Sequence, residues 1–309
     1  MLFDADQPGR LVLRDGETVV AEYVYDAPRA AEESPRPYLL LRTRSGAEVT
    51  AHRPADHVWH SGLSLALPVV GVHNFWGGPT YVSGKGYLPL ADNGSQQHRD
   101  FLSTGEGKTA APDVAAVEEV VEWVAAGGAV VLREQRRLTA RPVDEQTWAL
   151  TWRSVLRNAS GAALALGSPA TNGRAGAGYG GIFWRGPTSF RGGGIVTPDG
   201  PVGDAALGRS GPWQAFIAPD RSAGVLLLDG GHSGGGGDGS ATPWFARSEE
   251  YAGLGPAPFF SEERMLAPDD ELVLSAAVVI GGAGVAAFAD PLGESLRREL
   301  DAPARKIDA

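Results

Sequence analysis

The sequence has no cysteine, a deficit of basic residues and no long apolar run, and each of these absences excludes a class of protein. Without cysteine, its 309 residues contain no disulfide, no thiolate nucleophile and no thiolate zinc site. Lys and Arg number 27 against 37 Asp and Glu, which argues against binding to nucleic acid or to an anionic membrane surface. No apolar stretch approaches the roughly 20 residues that span a bilayer, and the N-terminus lacks a secretory pattern. We therefore expect a cytoplasmic bacterial protein.

The chain does contain many short β-prone runs separated by turn residues. Hydrophobic residues make up 43% of the sequence, which is enough for a sizeable core. Turn residues between neighbouring runs, such as Asp15-Gly16, predict tight β-hairpins. Three pairs of runs predict such hairpins: Leu11–Arg14 with Thr18–Tyr25, Pro37–Arg42 with Glu48–Thr50, and Trp213–Ile217 with Gly224–Leu228.

Further long segments follow after the first hundred residues. Long strands are predicted at Thr147–Leu156, which alternates with both tryptophans on one face, and at Leu272–Ile280. The segment Val117–Val124 is ambiguous between helix and strand, and its continuation favours strand, while the only convincing helix is predicted at Pro291–Leu300. The glycine run Gly234–Gly239 is interpreted as a loop, since strand patterning continues on both sides of it. We expect an all-β fold with two large antiparallel sheets packed face to face, as one domain over residues 1–309.

The histidines are concentrated in one part of the chain, since four of the six fall within residues 56–98. His57 and His60 lie in one short segment that begins at Asp56. On a strand these two histidines point to opposite faces, whereas in a tight turn they converge. They are candidates to bind a metal together with His98, to act as a general base whose tautomer Asp56 fixes, or to hydrogen-bond sugar hydroxyls. The structural alternative is a loop-capping histidine beside a core histidine.

Other candidates lie in aromatic, glycine-rich and charged segments. Trp76 offers an aromatic face on which a sugar ring stacks, and Asn74 an amide that reads hydroxyls. Tyr179 and Arg185 belong to a glycine-rich segment and could face a cleft, where the arginine binds a ligand oxygen. Glu134 is placed where a carboxylate could enter the same cleft. The alternatives are an aromatic core, a bulged strand with a surface arginine and a solvated charged face.

Several of these segments together resemble one known family. They are, in chain order, Arg53–Gly62, Asn74–Trp76, Glu134–Arg137 and Gly178–Arg185. Over about residues 10 to 290 the chain resembles the bacterial PmoA-like domain family of unknown function, labelled "methane oxygenase PmoA". The resemblance implies a β-supersandwich similar to galactose mutarotases and a role in carbohydrate metabolism. Many relatives carry an arginine where this chain has Ser61.

The primary hypothesis is an enzyme, a lyase or epimerase, that performs acid–base chemistry on a sugar or keto-sugar. A keto group acidifies the neighbouring C–H bond, so a positioned imidazole can take the proton in epimerisation or in elimination and hydration. The residues assigned to catalysis are His60 and His98 as acid and base, His57 as their orienting neighbour, and Tyr179 and Arg185 on substrate oxygens. The residues assigned to substrate binding or support are Asn74, Trp76, Asp56 and Glu134.

Two alternatives stay open. One is a metal-dependent, oxygenase-type enzyme with a divalent metal held by His57, His60 and His98. The other is a carbohydrate-binding protein without catalysis. The cofactor is otherwise unknown, the expected partner is a small-molecule carbohydrate rather than nucleic acid or membrane, and the oligomeric state is left open.

Overall fold

The computed structural model describes residues 1–104, 113–233 and 241–301. The loop predicted at Gly234–Gly239 lies outside the described residues. Within them the strands are β1 (Leu2–Gln7), β2 (Arg10–Asp15), β3 (Thr18–Val24), β4 (Tyr38–Leu41), β5 (Leu63–Ala66), β6 (Val69–Val70), β7 (Thr80–Val82), β8 (Gly86–Leu88), β9 (Ser95–Thr104), β10 (Ala115–Val124), β11 (Val130–Pro142), β12 (Trp148–Asn158), β13 (Leu164–Gly167), β14 (Gly181–Arg185), β15 (Gly194–Thr197), β16 (Gly200–Pro201), β17 (Trp213–Ile217), β18 (Gly224–Ser233), β19 (Trp244–Arg247), β20 (Gly253–Pro256), β21 (Arg264–Leu266) and β22 (Glu271–Gly281). One α-helix, α1 (Ala289–Asp301), and 3-10 helices at Ala31–Glu33, Thr188–Phe190, Gly203–Ala206 and Val285–Phe288 complete the regular structure.

Two large antiparallel sheets form the body of the protein. The eight-stranded sheet has the order β1-β2-β3-β4-β5-β14-β20-β19, and the nine-stranded sheet has the order β16-β15-β17-β18-β22-β12-β11-β10-β9. Two small sheets, β21-β13-β6 and β7-β8, flank them. The all-β expectation is confirmed, including its large antiparallel sheets and its short C-terminal helix.

Two of the three predicted hairpins form as expected. β2 and β3 pair across the Asp15-Gly16 turn, where Gly16 adopts the positive φ of 60° that a tight turn requires. β17 and β18 pair in the same way. The second predicted hairpin forms only over a few residues: Arg42 and Glu48 make an isolated antiparallel bridge, and the Val49 amide donates to the Leu41 carbonyl at 3.0 Å. The Thr50 hydroxyl accepts the Leu41 amide at 2.8 Å, so a side-chain hydrogen bond ends this short ladder.

The main core lies between the two large sheets. Trp148 and Trp152 are four residues apart on β12, so they share a face, and both are fully buried. They belong to a cluster that includes Leu39 and Leu63 of the eight-stranded sheet and Val278 of the nine-stranded sheet. Both tryptophans therefore point from one face of β12 into the main core.

Helix α1 covers the opposite face of the nine-stranded sheet. Its Leu296 and Leu300 pack in a second cluster with Leu228 and Val279. The adjacent residues Leu227 and Val278 point to the other face of the sheet, into the main core. The predicted helix at Pro291–Leu300 is therefore confirmed and gains two residues at its start and one at its end. In the part of the chain that the structure describes, no helix has the length and apolar character to cross a membrane.

Candidate functional site

The site is assembled where two central strands of the eight-stranded sheet pair. β5 and β14 are antiparallel with Leu63 opposite Trp184, so the loop that leads into β5 lies beside the last residue of β14. The Arg185 amide donates to the Gly62 carbonyl at 2.9 Å. Sheet register thus brings Arg185 to a histidine loop more than a hundred residues earlier in the chain.

Two tight turns fold this histidine loop. The His57 amide donates to the Pro54 carbonyl at 3.0 Å, and the His60 amide donates to the His57 carbonyl at 2.9 Å. As the sequence suggested for a turn, the two imidazoles converge. Their rings stack with centroids 4.7 Å apart and planes 11° apart.

Gly62 ends the loop at a place where only glycine fits. Its φ is +49°, and a Cβ there would lie 1.9 Å from the Leu39 carbonyl oxygen. The backbone of β4 therefore approaches the loop as closely as sterics allow. The glycine after the two histidines is thus required by packing and not by chemistry.

Arg185 and Asp56 form an ion pair, and each of them contacts one of the two histidine rings. Arg185 Nη2 lies 2.6 and 2.9 Å from the two carboxylate oxygens. The arginine is only 4% exposed, and its guanidinium lies 4.1 Å from the ring centroid of Tyr251. Burial alone would raise the pKa of Asp56, but hydrogen bonds from His57 and Arg185 outweigh it and lower that pKa. Asp56 is therefore a carboxylate at neutral pH.

This ion pair gives the two histidines opposite tautomers. His57 Nδ1 lies 2.8 Å from Asp56 Oδ2, a carboxylate that can only accept, so Nδ1 carries the proton. His60 Nδ1 lies 3.4 Å from Arg185 Nη1, a group that can only donate, so Nδ1 carries the lone pair. In the neutral rings Nε2 of His57 is therefore an acceptor and Nε2 of His60 is a donor.

His60 is held in its neutral form. It is 2% exposed, and burial lowers its pKa well below the ordinary value, with further lowering by the charges of His57, Arg185 and Arg36. Its buried Nε2 has no hydrogen-bond partner among the described residues. A buried donor left in this state is costly and marks a place where a ligand atom can bind.

A cavity of about 310 Å³ opens beside the histidines, and both of them line it. Its other aromatic lining residues are Trp59, Trp76, Tyr87, Tyr179, Phe245 and Tyr251. These rings come from the histidine loop, the loop between β6 and β7, the β7–β8 hairpin, the segment before β14, strand β19 and the β19–β20 turn. The predicted residues His57, His60, Trp76 and Tyr179 therefore meet at one cavity.

Arg36 ties two walls of the cavity together from below. It is 8% exposed and donates to the Trp59 carbonyl at 2.8 Å and to the Trp76 carbonyl at 2.9 Å. Further bonds reach Ser64 Oγ at 3.2 Å and the Ser34 carbonyl at 3.0 Å. Burial, together with nearby Arg29, lowers the pKa of Arg36 to about 9.

Asn74 lies below the cavity wall and shapes it. Its Oδ1 accepts the amides of Trp76 and Gly77 at 2.8 and 3.0 Å, and its Nδ2 donates to Thr80 Oγ1 at 2.9 Å. The side chain is 2% exposed. These bonds fix the loop that presents Trp76, so Asn74 supports the aromatic wall, and whether it also contacts substrate stays a prediction.

Tyr179 joins the cavity to the β7–β8 hairpin. Its hydroxyl lies 2.9 Å from the Tyr87 hydroxyl, and its ring centroid lies 4.6 Å from that of Trp76. Burial, followed by the neighbouring Tyr87, raises the pKa of Tyr179 well above its ordinary value. The phenol is therefore a hydrogen-bonding group and not a phenolate at neutral pH.

His98 and Glu134 lie elsewhere, which corrects the expectation that they share a cleft with the histidine loop. His98 is on β9 at the edge of the nine-stranded sheet, with Nδ1 2.6 Å from Glu119 Oε2. Glu134 is 1% exposed on β11 and accepts from Arg136 Nε at 2.7 Å and from Trp123 Nε1 at 2.8 Å. Both residues belong to the nine-stranded sheet and neither lines the cavity. The local sequence does not encode which strands pair, so this separation could not be predicted from it.

The histidines do not form the metal ligand set considered from the sequence. The described residues contain no group of three or more His, Cys, Asp or Glu side chains placed to hold a metal ion. Imidazole lone pairs lie in the ring plane, so the nearly parallel rings of His57 and His60 do not converge on one ion. The charged neighbour of His60 Nδ1 is a guanidinium, which also disfavours a cation there.

Several residues of the site were not identified from the sequence. Trp59 stands inside the histidine motif and could have been found there. Arg174 belongs to the glycine-rich segment around Tyr179. The remaining residues lie in segments without a recognisable motif, and only tertiary contacts reveal them: Arg36, Tyr87, Phe245, Arg247 and Tyr251.

The fold and the site together define a two-sheet antiparallel β protein with a histidine-bearing, aromatic-lined cavity. The chain belongs to a family of unknown function, DUF6807, which matches residues 10–286. The description of that family does not carry the methane oxygenase label expected from the sequence. No curated protein matches the chain.

Two solved structures are similar to this chain at low sequence identity. One is the Slr1438 protein from Synechocystis sp. PCC 6803, with 12% identity, a TM-score of 0.41 and coverage of 90% of this chain and 96% of that one. The other is the GH36 alpha-galactosidase AgaB from Geobacillus stearothermophilus, with 14% identity, a TM-score of 0.44 and coverage of 90% of this chain. The match spans 40% of the length of that galactosidase.

Proposed function

We propose that the cavity binds a sugar or keto-sugar derivative and that His57 and His60 act on it as a base and a hydrogen-bond donor. The observation that carries this proposal is the contact of one Arg185–Asp56 pair with both stacked rings. That contact leaves one acceptor nitrogen and one donor nitrogen on adjacent imidazoles. Proton transfer next to a carbonyl needs this combination.

The proposed step removes a proton from the carbon next to the carbonyl. Nε2 of His57 takes the proton, and the C–H electron pair forms a C=C bond while the carbonyl π electrons move to oxygen. His60 Nε2–H stabilises this oxygen by a hydrogen bond, as a neutral imidazole with a lowered pKa can do. Asp56 balances the positive charge that His57 acquires. Protonation of the opposite face of this carbon by solvent completes an epimerisation. In an elimination, a neighbouring hydroxyl takes the proton held by His57 and leaves as water.

The aromatic wall supports a sugar as the ligand class. Trp76 and Tyr251 each contact the His60 ring, with centroids 5.4 and 6.0 Å away. Aromatic faces stack on the C–H faces of sugar rings, and a ring stacked there is close to the histidine pair. A volume of about 310 Å³ suits a monosaccharide-sized ligand.

Hydrogen exchange in deuterated water tests the proposed step. Methyl glucoside and its 3-keto derivative are incubated with the protein, and loss of the proton next to the carbonyl is followed by NMR. We expect exchange only in the keto sugar, with a rate that falls about 10²–10⁴-fold in His57→Gln. His52→Gln, which alters a histidine outside this cavity, is the matched control. Exchange by wild-type protein at the buffer rate, with sugar binding intact, would instead identify a carbohydrate-binding protein without catalysis.

A second measurement tests the tautomers without any substrate. Long-range proton–nitrogen NMR spectra of labelled protein distinguish a protonated from an unprotonated ring nitrogen. We expect Nδ1–H for His57 and Nε2–H for His60, and loss of this difference in Arg185→Leu. The same tautomer on both rings would overturn the assignment of roles.

A further inference from the structure

Two arginines line the cavity, Arg174 and Arg247, and neither is the buried Arg185 that pairs with Asp56. Arg174 donates from Nη1 to the Tyr87 hydroxyl at 2.6 Å, and its guanidinium lies 4.8 Å from that ring centroid. Arg247 lies 5.2 Å from the Phe245 ring centroid and donates to the Ala246 carbonyl at 3.2 Å. Within the described ranges, neither arginine has a carboxylate at ion-pair distance.

A row of rings connects these two arginines along one wall. The Tyr87 hydroxyl, which accepts from Arg174, lies 2.9 Å from the Tyr179 hydroxyl. The Tyr179 ring in turn meets Phe245 edge-on with centroids 5.7 Å apart. Both guanidiniums therefore flank the same aromatic row and line the same cavity.

The charge of this wall is the reverse of the charge of the whole chain. The protein has a net charge of -10, and the positive charge of Arg185 is matched by Asp56. Among the described lining residues the two arginines are accompanied by a single carboxylate, the exposed Glu250. Guanidinium groups bind carboxylates and phosphates with two parallel hydrogen bonds, and stacking on rings leaves their N–H edges available.

We infer that the ligand is an anionic sugar whose carboxylate or phosphate group binds between Arg174 and Arg247. This inference rests on the proposed function and specifies its substrate class. The aromatic row receives the sugar ring, and the histidine pair that lines the same cavity acts on the sugar. Glu250 opposes the anion and sets an upper limit on its affinity.

Binding of three sugars to the full chain tests the inference. Titration calorimetry at low salt compares methyl glucoside, glucuronate and glucose 6-phosphate. We expect at least one anionic sugar to bind about 10-fold or more tightly than the glucoside, since a hydrogen bond to a charged group is worth roughly that factor. Comparison of the two anionic sugars identifies the preferred anion, and added salt weakens its binding but not that of the glucoside.

Four variants locate the anion. We expect Arg174→Gln and Arg247→Gln each to lower the affinity for the anionic sugar by about 10-fold and to leave the glucoside unchanged. Glu250→Gln should raise that affinity. Arg157→Gln, which removes the same charge from a surface ion pair with Asp269 on the other sheet, should have no effect.

Two results would overturn the inference, and they differ from failure of the proposed function. Equal affinities for the three sugars, or an anion preference that persists in both arginine variants, contradict the anionic ligand and leave the histidine chemistry standing. Absence of both binding and proton exchange with every sugar contradicts the proposed function, and the inference falls with it.

Discussion

Two buried clusters in this protein use the same residue types, an imidazole, a carboxylate and a guanidinium, and differ in how completely they are hydrogen-bonded. In the network between the sheets, the two carboxylates Glu119 and Glu134 contact Arg136, which also donates to Gln96 at 3.1 Å. Tyr23, from the opposite sheet, donates to Glu119. None of these five residues contributes an unsatisfied buried atom in the described part of the chain.

The cavity cluster has several unsatisfied atoms. Nε2 of His60, Nε of Arg185 and Nε1 of Trp59 are all buried with no partner among the residues described. Sequence composition alone does not distinguish the two clusters, and His98 and Glu134 were assigned to the cavity for that reason. The difference teaches that incomplete hydrogen bonding beside an open volume, and not the presence of a histidine with a carboxylate, identifies the candidate site.

The largest expected effect comes from breaking the completed network. Arg136→Leu leaves the buried Glu134 without its guanidinium partner, so we expect the free energy of unfolding to fall by about 3–5 kcal/mol. Arg185→Leu should cost only about 1–2 kcal/mol, because the Asp56 side chain is 45% exposed and becomes hydrated. Urea unfolding of both variants measures the difference.

Equal losses in these two arginine variants would contradict the comparison. If Arg136→Leu does not fold, Ser154→Ala gives the same information on a smaller scale. Ser154 Oγ bonds to Glu134 and accepts from Trp152 Nε1 at 2.9 Å, so its loss should cost about 1–3 kcal/mol.

The next effect concerns the backbone that presents the cavity cluster. Gly62→Ala places a methyl group 1.9 Å from the Leu39 carbonyl oxygen, whereas Gly46, at φ +89°, has open space around it. We expect Gly62→Ala to be about 1–3 kcal/mol less stable than Gly46→Ala, beyond the cost of positive φ that both share. Thermal unfolding of the two variants tests this, and equal costs would show that the close approach does not constrain the loop.

The stability of the network between the sheets is also expected to depend on pH, through Glu119. Burial raises the pKa of Glu119 to about 8 from an ordinary value of 4.5, so between these values the folded chain holds a proton that the unfolded chain has released. The contribution of Glu119 to stability is complete below pH 4.5 and is lost as the pH rises to about 8. The slope for one proton is about 1.4 kcal/mol per pH unit.

Glu119→Gln isolates this slope, since the amide does not titrate. Burial lowers the pKa of nearby His98, which acts in the opposite direction because its contribution is lost as the pH falls. The quantity to measure is therefore the difference between wild type and variant from pH 5 to pH 8. A flat difference would show that Glu119 is ionised in the folded protein.

The smallest expected effect concerns the bond that links Arg174 to Tyr179. Tyr87→Phe removes a hydroxyl bonded to both residues, yet Tyr87 is 36% exposed, so we expect a loss of about 0.5–1.5 kcal/mol. Tyr81→Phe on the facing strand is the matched control, since its hydroxyl has no bond among the described side chains. Equal unfolding midpoints for the two variants would contradict the prediction.

The sequence predicted those parts of the fold and site that depend on local pattern. Turn residues and alternating apolar positions placed the β2–β3 hairpin, strand β12 and helix α1. The convergence of His57 and His60 followed from their spacing within a turn. The second hairpin is shorter than predicted, because the Thr50 side chain, and not a backbone group, accepts the Leu41 amide.

The remaining parts of the site depend on long-range pairing. Arg185 reaches Asp56 because β14 lies beside β5, and His98 is separated from both because β9 belongs to the other large sheet. Tyr251 arrives on a turn between β19 and β20 without any motif around it. No local pattern specifies which strands become neighbours, so these placements required the structure.

The bonds of Arg36 have a consequence for how ligand preference can change. The guanidinium of Arg36 bonds to the backbone carbonyls of both Trp59 and Trp76, so the two segments that carry these side chains are held in a fixed position relative to each other. A substitution that moves the backbone at one of these tryptophans should therefore also move the backbone at the other. Changes in ligand preference should therefore come from substitutions in the β7–β8 hairpin and the β19–β20 turn, to which Arg36 makes no hydrogen bond among the described residues.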